Sequence, residues 1–572
     1  MDRYLNIGLL IDDPNNYFTS QACKGADLAA KALDANLFIF PGHYIGEPDG
    51  RFSDSEYEYQ YNVVFDLPTT RNVDILYVLM GTIGSRADKE IQKAFVDSLP
   101  RVPIVTLFAD IEGYPSVTFD NETGIISILD HLTVKHGARK IGYVSGPKTN
   151  KDADERLSAF RKYVTDRGLP LEDSQIVYGD FTEKSHAAVE KLLDDNEDID
   201  AVVFANDSMA IGGYEVFEKR GLVPGKDILA AGFDNDVFTP SMTPPLTTVE
   251  TSSADLTYKA VLAANDFIHN GRLNKLEVKT YLVQRASCGC AETDIEEIRH
   301  RLHVDGMVSG DRKYIDSIRK YLFGVFLDNE HITMVKSLLE VFCISCSKYF
   351  KNGRNRNRVD RTFRNMVDSD ILKYCSTEKL FTVLLTLQNE GLKTGSDKEQ
   401  IYDMFAEYYR ILSLKGLTMI NSYRDREDRV FRMLNNQMGN IFTGSHDDRV
   451  PYHLLLKGFD KIGFRQSFLY FFPERQDHPK GQKWECPGSL LLAACFGKDG
   501  ILSPGEKEQL ISTENLFINE FVDAGRRLTM MVSPLFAGER LYGLMVNELN
   551  VADISMVSLV AHQLSVTVRS LI

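Results

Sequence analysis

Basic residues are in short supply in this chain: 65 Lys and Arg stand against 81 Asp and Glu, leaving a formal charge of −16. A nucleic-acid footprint needs clustered positive charge to neutralise phosphates, so direct DNA binding by this chain is not expected. Long apolar runs are missing too. The opening segment MDRYLNIGLLIDD has only IGLLI before two aspartates stop it, and nowhere does an apolar run reach the ~18 residues of a spanning helix. The expectation is a cytoplasmic protein with no signal peptide and no membrane contact. Eight cysteines in 572 residues are too few for a disulfide scaffold and are expected to be reduced thiols. The strings H-E-x-x-H, G-x-S-x-G and G-x-G-x-x-G do not occur, so no catalytic residue, no cofactor and no enzyme activity is assigned.

What is present begins with length, which at roughly 150 residues per domain implies several units. From residue 4 to about 290, short apolar runs alternate with amphipathic helical patterns: YLNIGLLI, ANLFIF, VDILYVLM, VPIVTLF, SVTF, KIGYVSG, QIVYGD, AVVFAN and DILAAGFD. Such alternation implies parallel sheets covered on both faces, and the number of runs implies two doubly wound lobes. From about 291 to 445 the pattern becomes helical, ending in a helix with Ile420, Tyr423, Val430, Leu434 and Ile441 along a coiled-coil-like seam. Residues 446–572 return to mixed α+β character. There QSFLYFF, SLLLAACF, LTMMVSPLF and LYGLMVNE predict antiparallel strands, with helices near 505–524 and 551–571.

Ligands of open parallel sheets bind outside the carboxyl ends of the strands, which directs attention to the residues just after each run. Those include Asp13, Asn16, Tyr17 and Phe18 after the first run, and Thr82 after the third. In the second lobe they include Phe181, Asn206 and Asp234, with Arg156 downstream of Gly146-Pro147. Amide, carboxylate, guanidinium and aromatic groups in this mixture suit a polar small molecule with a flat or pyranose face. Asp207 is the expected N-cap of the following helix, leaving Asn206 to face the cleft.

The segment IGLLIDDPNNYFTSQACKGADLAAKA, followed in order by PSVTFDNETG, HGARKIGYVSGP, ERLSAF, FANDSMAIGGYEVFEKRGLVPGKDILAAGFDN and PPLTTVE, resembles the effector domain of the lactose-repressor (LacI/GalR) family. The resemblance covers residues 4 to about 285. It implies a periplasmic-binding-protein type I fold, with lobe 1 at about 1–120 plus 248–273 and lobe 2 at about 121–247 plus 274–290. It also implies roles: Arg156 clamps ligand hydroxyls or a carboxylate, Phe181 stacks on the ligand, Asn206 and Asp234 hydrogen-bond it, and Tyr17 with Phe18 line the first-lobe wall. The family's helix-turn-helix is not at its usual place, because the chain begins three residues before the first strand. Almost 290 residues follow LVQRASCGC.

Cys288-x-Cys290 with His300-x-x-His303 offers metal-binding atoms, but each pair is one residue tighter than the usual structural zinc spacings, so no metal site is expected. Cys343 and Cys346 sit in an apolar helical run and are expected to be buried structural thiols. The basic run from Lys348 to Arg364 is expected to be a solvated loop between helices. By the order of its strands and helices, the C-terminal segment resembles a GAF-type sensory domain. The whole arrangement resembles the sensory half of bacterial signalling proteins that continue into a GGDEF diguanylate cyclase or another output, although no GGDEF-like string occurs. In the last helix Ile554, Val557, Ala561, Leu564, Val568 and Leu571 form a heptad seam that either runs on into an output domain or packs on the preceding sheet.

The expected function is a small-molecule sensor for a sugar-like or nucleoside-like effector, homodimeric, with lobe closure relayed through the helical segment to signalling or transcription. Two alternatives stand beside it. One is a LacI/GalR-type regulator that acts through a partner or an absent domain; the other is the sensory fragment of a diguanylate cyclase.

Overall fold

The computed structural model describes residues 4–46, 56–148, 150–270, 276–290, 298–299, 302–328, 332–369, 371–394, 397–444, 452–497, 500–502 and 509–571. The chain divides into two compact units, Met1–Cys290 with Val430–Ile572, and Ala291–Arg429. The second boundary falls inside a helix, Lys398–Gly444, and not at residue 445 as the sequence pattern suggests. The seam of that helix is only partly described: Val430 and Leu434 are buried.

In the first unit, strands β1 (Asn6–Ile11), β2 (Asn36–Pro41), β3 (Ile75–Val78), β4 (Ile104–Leu107) and β5 (Ser116–Phe119) are parallel. Strands β6 (Ile141–Ser145), β7 (Ile176–Tyr178), β8 (Ala201–Phe204) and β9 (Leu229–Ala231) form the second parallel sheet, in the order β7-β6-β8-β9. Nearly every residue of these strands is buried, as a sheet covered by helices on both faces requires. Then come β10 (Thr248–Glu250), β11 (Leu276–Val278) and β12 (Tyr281–Val283). Strands β10 and β12 pair antiparallel as a ribbon between the lobes. Strand β11 pairs with β5, so lobe 1 retains the chain past residue 273, beyond the expected crossover.

The C-terminal strands are β13 (Gln466–Asp477), β14 (Ser489–Gly497), β15 (Gly500–Leu502), β16 (Gln509–Ser512), β17 (Thr529–Ala537) and β18 (Arg540–Glu548). Their antiparallel order is β17-β18-β13-β14-β15, with β16 also on β14. Among the described residues of the segment 505–524, which begin at Gln509, the expected helix does not form. Its alternating Leu510 and Ile511, exposed and buried in turn, build strand β16, followed by a short turn at Thr513–Asn515.

Sequence pattern gave no hint of the junction between the two sheets. Strand β17 pairs in parallel with β2, the edge strand of lobe 1, so the two sheets run on as one. The seam is covered by a shared core in which Phe38 stacks on Phe517 with ring centroids 4.4 Å apart, and Leu10 and Phe40 join Tyr470, Met530 and Leu544. Continuing a sheet satisfies an edge strand's backbone groups, which otherwise invite non-native pairing. The last helix, Ile554–Leu571, lays Ile554, Val557, Ala561, Leu564 and Val568 in buried positions, and its Ser565 Oγ accepts from the Phe536 amide of β17. Its heptad seam is therefore spent on this sheet.

The second unit is helical, with Arg312–Phe323, Thr333–Asn352, Arg356–Asp368, Thr377–Thr394 and the first part of Lys398–Gly444. Cys343 and Cys346 are buried in it, as expected, and burial pushes both thiols above their ordinary range. The basic run from Lys348 to Arg364 is mostly helix and not loop. Only the turn around Gly353 and Asn355, both in the left-handed region, interrupts it, because the arginines of Arg356–Asp368 alternate with Val359, Phe363 and Met366 on a buried face. Among the described residues, no helix is long and apolar enough to cross a membrane.

Candidate functional site

The carboxyl ends of the two parallel sheets bring the expected residues together. In lobe 1, Asn16 caps the helix Tyr17–Ala32 by accepting from the Phe18 amide at 2.9 Å. Asp13 accepts from both nitrogens of Asn15 at 2.9 Å, which shapes the turn before that helix. Phe18 packs edge-on against Phe108 with centroids 4.8 Å apart. Tyr17 remains 55% exposed, yet surrounding protein together with Asp236 and Glu250 raises its hydroxyl's pKa.

Beneath these residues lies a group missing from the sequence-derived set. Asp12, fully buried at the end of β1, accepts from the hydroxyls of Thr19 and Thr82, the latter at 2.9 Å. Its Oδ2 has no partner among the described residues, and burial pushes the carboxyl up to about 6. Tyr44, at the end of the β2 segment, stacks on the Arg86 guanidinium at 4.0 Å and hydrogen-bonds the Asn16 side chain. Asp12 falls among the strand-end residues that the carboxyl-end rule singles out, although it was not carried into the candidate set, whereas Tyr44 carries no sequence signal.

In lobe 2, Arg156 is buried, with its guanidinium 3.9 Å over the Phe233 ring. Its Nε donates to Asn121 Oδ1 at 2.9 Å, its Nη1 to the Ala205 carbonyl at 2.6 Å, and its Nη2 faces Asp234 Oδ1 at 3.5 Å. These bonds aim the fork at Asp234. That carboxyl keeps 30% exposure, and burial pushes it up to about 7 despite Arg156. Asp234 and Asn235 both have positive φ, a costly geometry for non-glycine residues. Arg285 holds the turn, donating to Asn235 Oδ1 at 2.7 Å and to the Leu246 carbonyl at 2.8 Å. Phe181 also has positive φ, and its ring lies over Gly146 so closely that a Cβ there would come within 2.3 Å.

One expectation is reversed. Asn206, and not Asp207, caps the helix Asp207–Lys219: its Oδ1 accepts from the Met209 amide at 3.1 Å, while its Nδ2 donates to the Phe181 carbonyl at 3.1 Å. Asp207 is the first helical residue and points into the core. There its two oxygens accept from Thr248 Oγ1 at 2.7 Å and from the Asp236 amide at 2.9 Å. Helical phase decides this, because only the residue with extended φ and ψ, Asn206, can fold its side chain back over the first turn.

Across the cleft mouth, Lys151 of lobe 2 pairs with Asp110 of lobe 1 at 2.7 Å. Of the histidines weighed with Cys288 and Cys290, only His303 is described, and it is exposed. His300 lies outside the described residues, and the two cysteines meet His131 and His136.

Comparison with known proteins bears on at most about half of the chain. Residues 129–288 match the family model of a periplasmic binding protein-like domain. Catabolite control protein A of Priestia megaterium is 29% identical over 238 residues, which cover 40% of this chain and 70% of that protein. The chain carries a periplasmic binding protein-like domain, similar to the effector domains of LacI/GalR-type regulators. The HTH-type transcriptional repressor CytR of Escherichia coli strain K12 is 28% identical to it over 208 residues, 36% of this chain and 60% of the repressor. The ribose operon repressor of the same strain is 26% identical over 288 residues, 49% of this chain and 81% of the repressor. A solved complex of the transcriptional regulator CelR with cellobiose overlaps 50% of this chain and 85% of that one, at 21% identity and a TM-score of 0.41. The relatives are named as regulators, and the similarity to them covers at most about half of the present chain.

Proposed function

We propose that the LacI/GalR-type domain binds a small hydroxyl-rich effector, a sugar or nucleoside, between its lobes, and that closure on this ligand is a signal in transduction or transcription control. The observation that carries the reading is the convergence of Arg156 and Asp234 on one cleft. A guanidinium fixed by Asn121 and the Ala205 carbonyl, beside an Asp234 carboxyl whose pKa burial raises, offers forked donors and acceptors to vicinal hydroxyls. Phe181 supplies an aromatic face, and Asp12 Oδ2 a further acceptor on the opposite lobe. The name of one relative ties it to ribose, which fits this chemistry.

The continuous sheet suggests how closure would be felt. Lobe 1 and the GAF-like C-terminal domain share strands β2 and β17, so they would move as one body. Lobe 2 would swing against that platform, carrying Cys290, after which the chain enters the helical unit. The continuation of the signal, whether a partner protein or a further output such as a diguanylate cyclase domain, belongs to the same proposal.

Titration calorimetry of the full chain against a panel of pentoses, hexoses, disaccharides and nucleosides tests it. At least one should bind, and Asp234→Asn, which keeps the side-chain shape, should weaken it by about tenfold, or ~1.4 kcal/mol. Binding by no member of the panel, or equal affinity in Asp234→Asn, would sink the reading.

A further inference from the structure

Helix Asn121–Asp130 presents Asn121 to the cleft, and its far end reaches a different cluster about 15 Å away at 1.5 Å per residue. There His131, His136, Cys288 and Cys290 place one ligand atom each within 4.8 Å of one another. His131 Nε2 lies 3.2 Å from Cys288 Sγ, 3.4 Å from Cys290 Sγ and 3.2 Å from His136 Nε2, and His136 Nε2 lies 3.2 Å from Cys290 Sγ. Ligands of a tetrahedral zinc ion, with Zn–S about 2.3 Å and Zn–N about 2.0–2.1 Å, sit about 3.3–3.8 Å apart. The four atoms are therefore already near the corners of such a polyhedron.

We infer that His131, His136, Cys288 and Cys290 form a structural zinc site at the base of lobe 2.

The backbone is arranged to make this convergence. Five residues apart on an α-helix, His131 and His136 would point about 140° apart. The turn His131–Lys135 is instead a π-helix, whose wider turn brings the two rings to one side, and Gly137 with positive φ ends the segment. On the other segment of the site, Gly289 caps the short turn Ala286–Cys288 with φ +89, which turns Cys288 and Cys290 towards the same point. The donor set is two thiols and two imidazoles with no carboxylate, a combination that selects zinc over magnesium or calcium. A second shell is present as well: the Gln284 amide lies 3.3 Å from His131 Nδ1, and with its oxygen turned inward it would accept the Nδ1 proton and leave Nε2 for the metal. His131 and Cys288 are buried, while His136 and Cys290 are partly open, giving the ion a way in.

Such an ion would clamp the segment Arg285–Cys290, where the chain leaves lobe 2 for the helical unit, to the end of a helix that begins at the cleft. The site stands apart from the effector reading, since none of its four residues lines the cleft.

Tag-free full chain, purified without chelator, should contain about one zinc per chain by inductively coupled plasma mass spectrometry. Cobalt exchanged into it should show the intense d–d bands of a tetrahedral ion together with a thiolate-to-cobalt charge-transfer band. Cys290→Ser and His136→Ala, on the open side of the cluster, should each weaken metal binding by about tenfold or more, with circular dichroism reporting that the fold is kept. The proposal is overturned by a chain that takes up neither metal stoichiometrically, by a cobalt spectrum lacking the thiolate band, by a Cys288–Cys290 disulfide in protein kept under reductant, or by folded variants that bind metal as the parent does. Should both variants fail to fold, the cobalt spectrum of the unaltered chain decides the matter alone.

Discussion

Thr529 Oγ1 donates a 2.8 Å hydrogen bond to Asp27 Oδ1, joining a residue of the C-terminal sheet to the first helix of lobe 1 across 502 positions of sequence. Arg527 approaches the same oxygen at 3.4 Å, Lys31 pairs with the other, and the Leu528 amide donates to Asn36 Oδ1 at 2.8 Å. These polar contacts fix the register in which β17 continues from β2.

Asp27→Ala should therefore loosen the junction specifically. It leaves the buried Thr529 hydroxyl without its acceptor, at a cost of about 1–3 kcal/mol. Chemical denaturation should show an earlier transition. Limited proteolysis should release the C-terminal domain sooner than in the parent, while a parent-like cleavage pattern would show that the shared apolar core alone holds the junction.

The reversed roles of Asn206 and Asp207 give unequal costs. Asn206→Ala removes an N-cap and should cost about 0.5–2 kcal/mol. Asp207→Ala strips acceptors from both Thr248 and the Asp236 amide and should cost more. Stability is best compared across a range of pH, because burial raises the pKa of Asp207 and ionisation in the parent would add the relief of removing a buried charge. A larger loss for Asn206→Ala would contradict the assignment.

Asp12 sets a pH dependence whose sign follows from burial. Its pKa rises from 3.8 in the open chain to about 6 in the fold, so the folded state favours the protonated form. Its contribution to stability is fully present below about pH 4 and is lost as pH climbs through about 6, a change of about 3 kcal/mol. Asp12→Asn should flatten this part of the stability profile between pH 4 and 6. Asp207 and Asp234 are shifted in the same direction and will leave a residual slope. An unchanged profile would mean that Asp12 ionises without penalty.

Gly146 tests Phe181. A Cβ at position 146 would meet the ring at 2.3 Å, and the ring must shift because it is the movable partner. If Phe181 stacks on the effector, Gly146→Ala should weaken binding by about tenfold with little effect on folding. Full affinity in this variant would remove Phe181 from the site.

Strands β1–β9 were legible because buried strands are short apolar runs and the intervening helices carry a 3.6-residue period, whereas β11, which adds to β5 in parallel, was not. The candidates Thr82, Phe181, Asn206 and Asp234 were named for a related reason, since the carboxyl end of a parallel strand is where the chain must turn and can present polar groups, whereas Arg156, inside the helix Lys151–Asp166, was given its role by the family resemblance. Local pattern could also name the residues of the Asn206-Asp207 step, but not their division of labour, which depends on helical phase. Long-range proximity was beyond it altogether. His131 and His136 carry the H-x(3-5)-H spacing, yet nothing local to them points to Cys288 and Cys290 more than 150 positions away. Strand β17 looks like any other apolar alternation, and its partner across the sheet edge is chosen by which edge is free and which side chains interdigitate. Sequence alone determined the elements and the faces they bury, because those follow from local periodicity. Only the tertiary structure decided which distant faces meet, because contact depends on how the whole chain closes its sheets and fills its core.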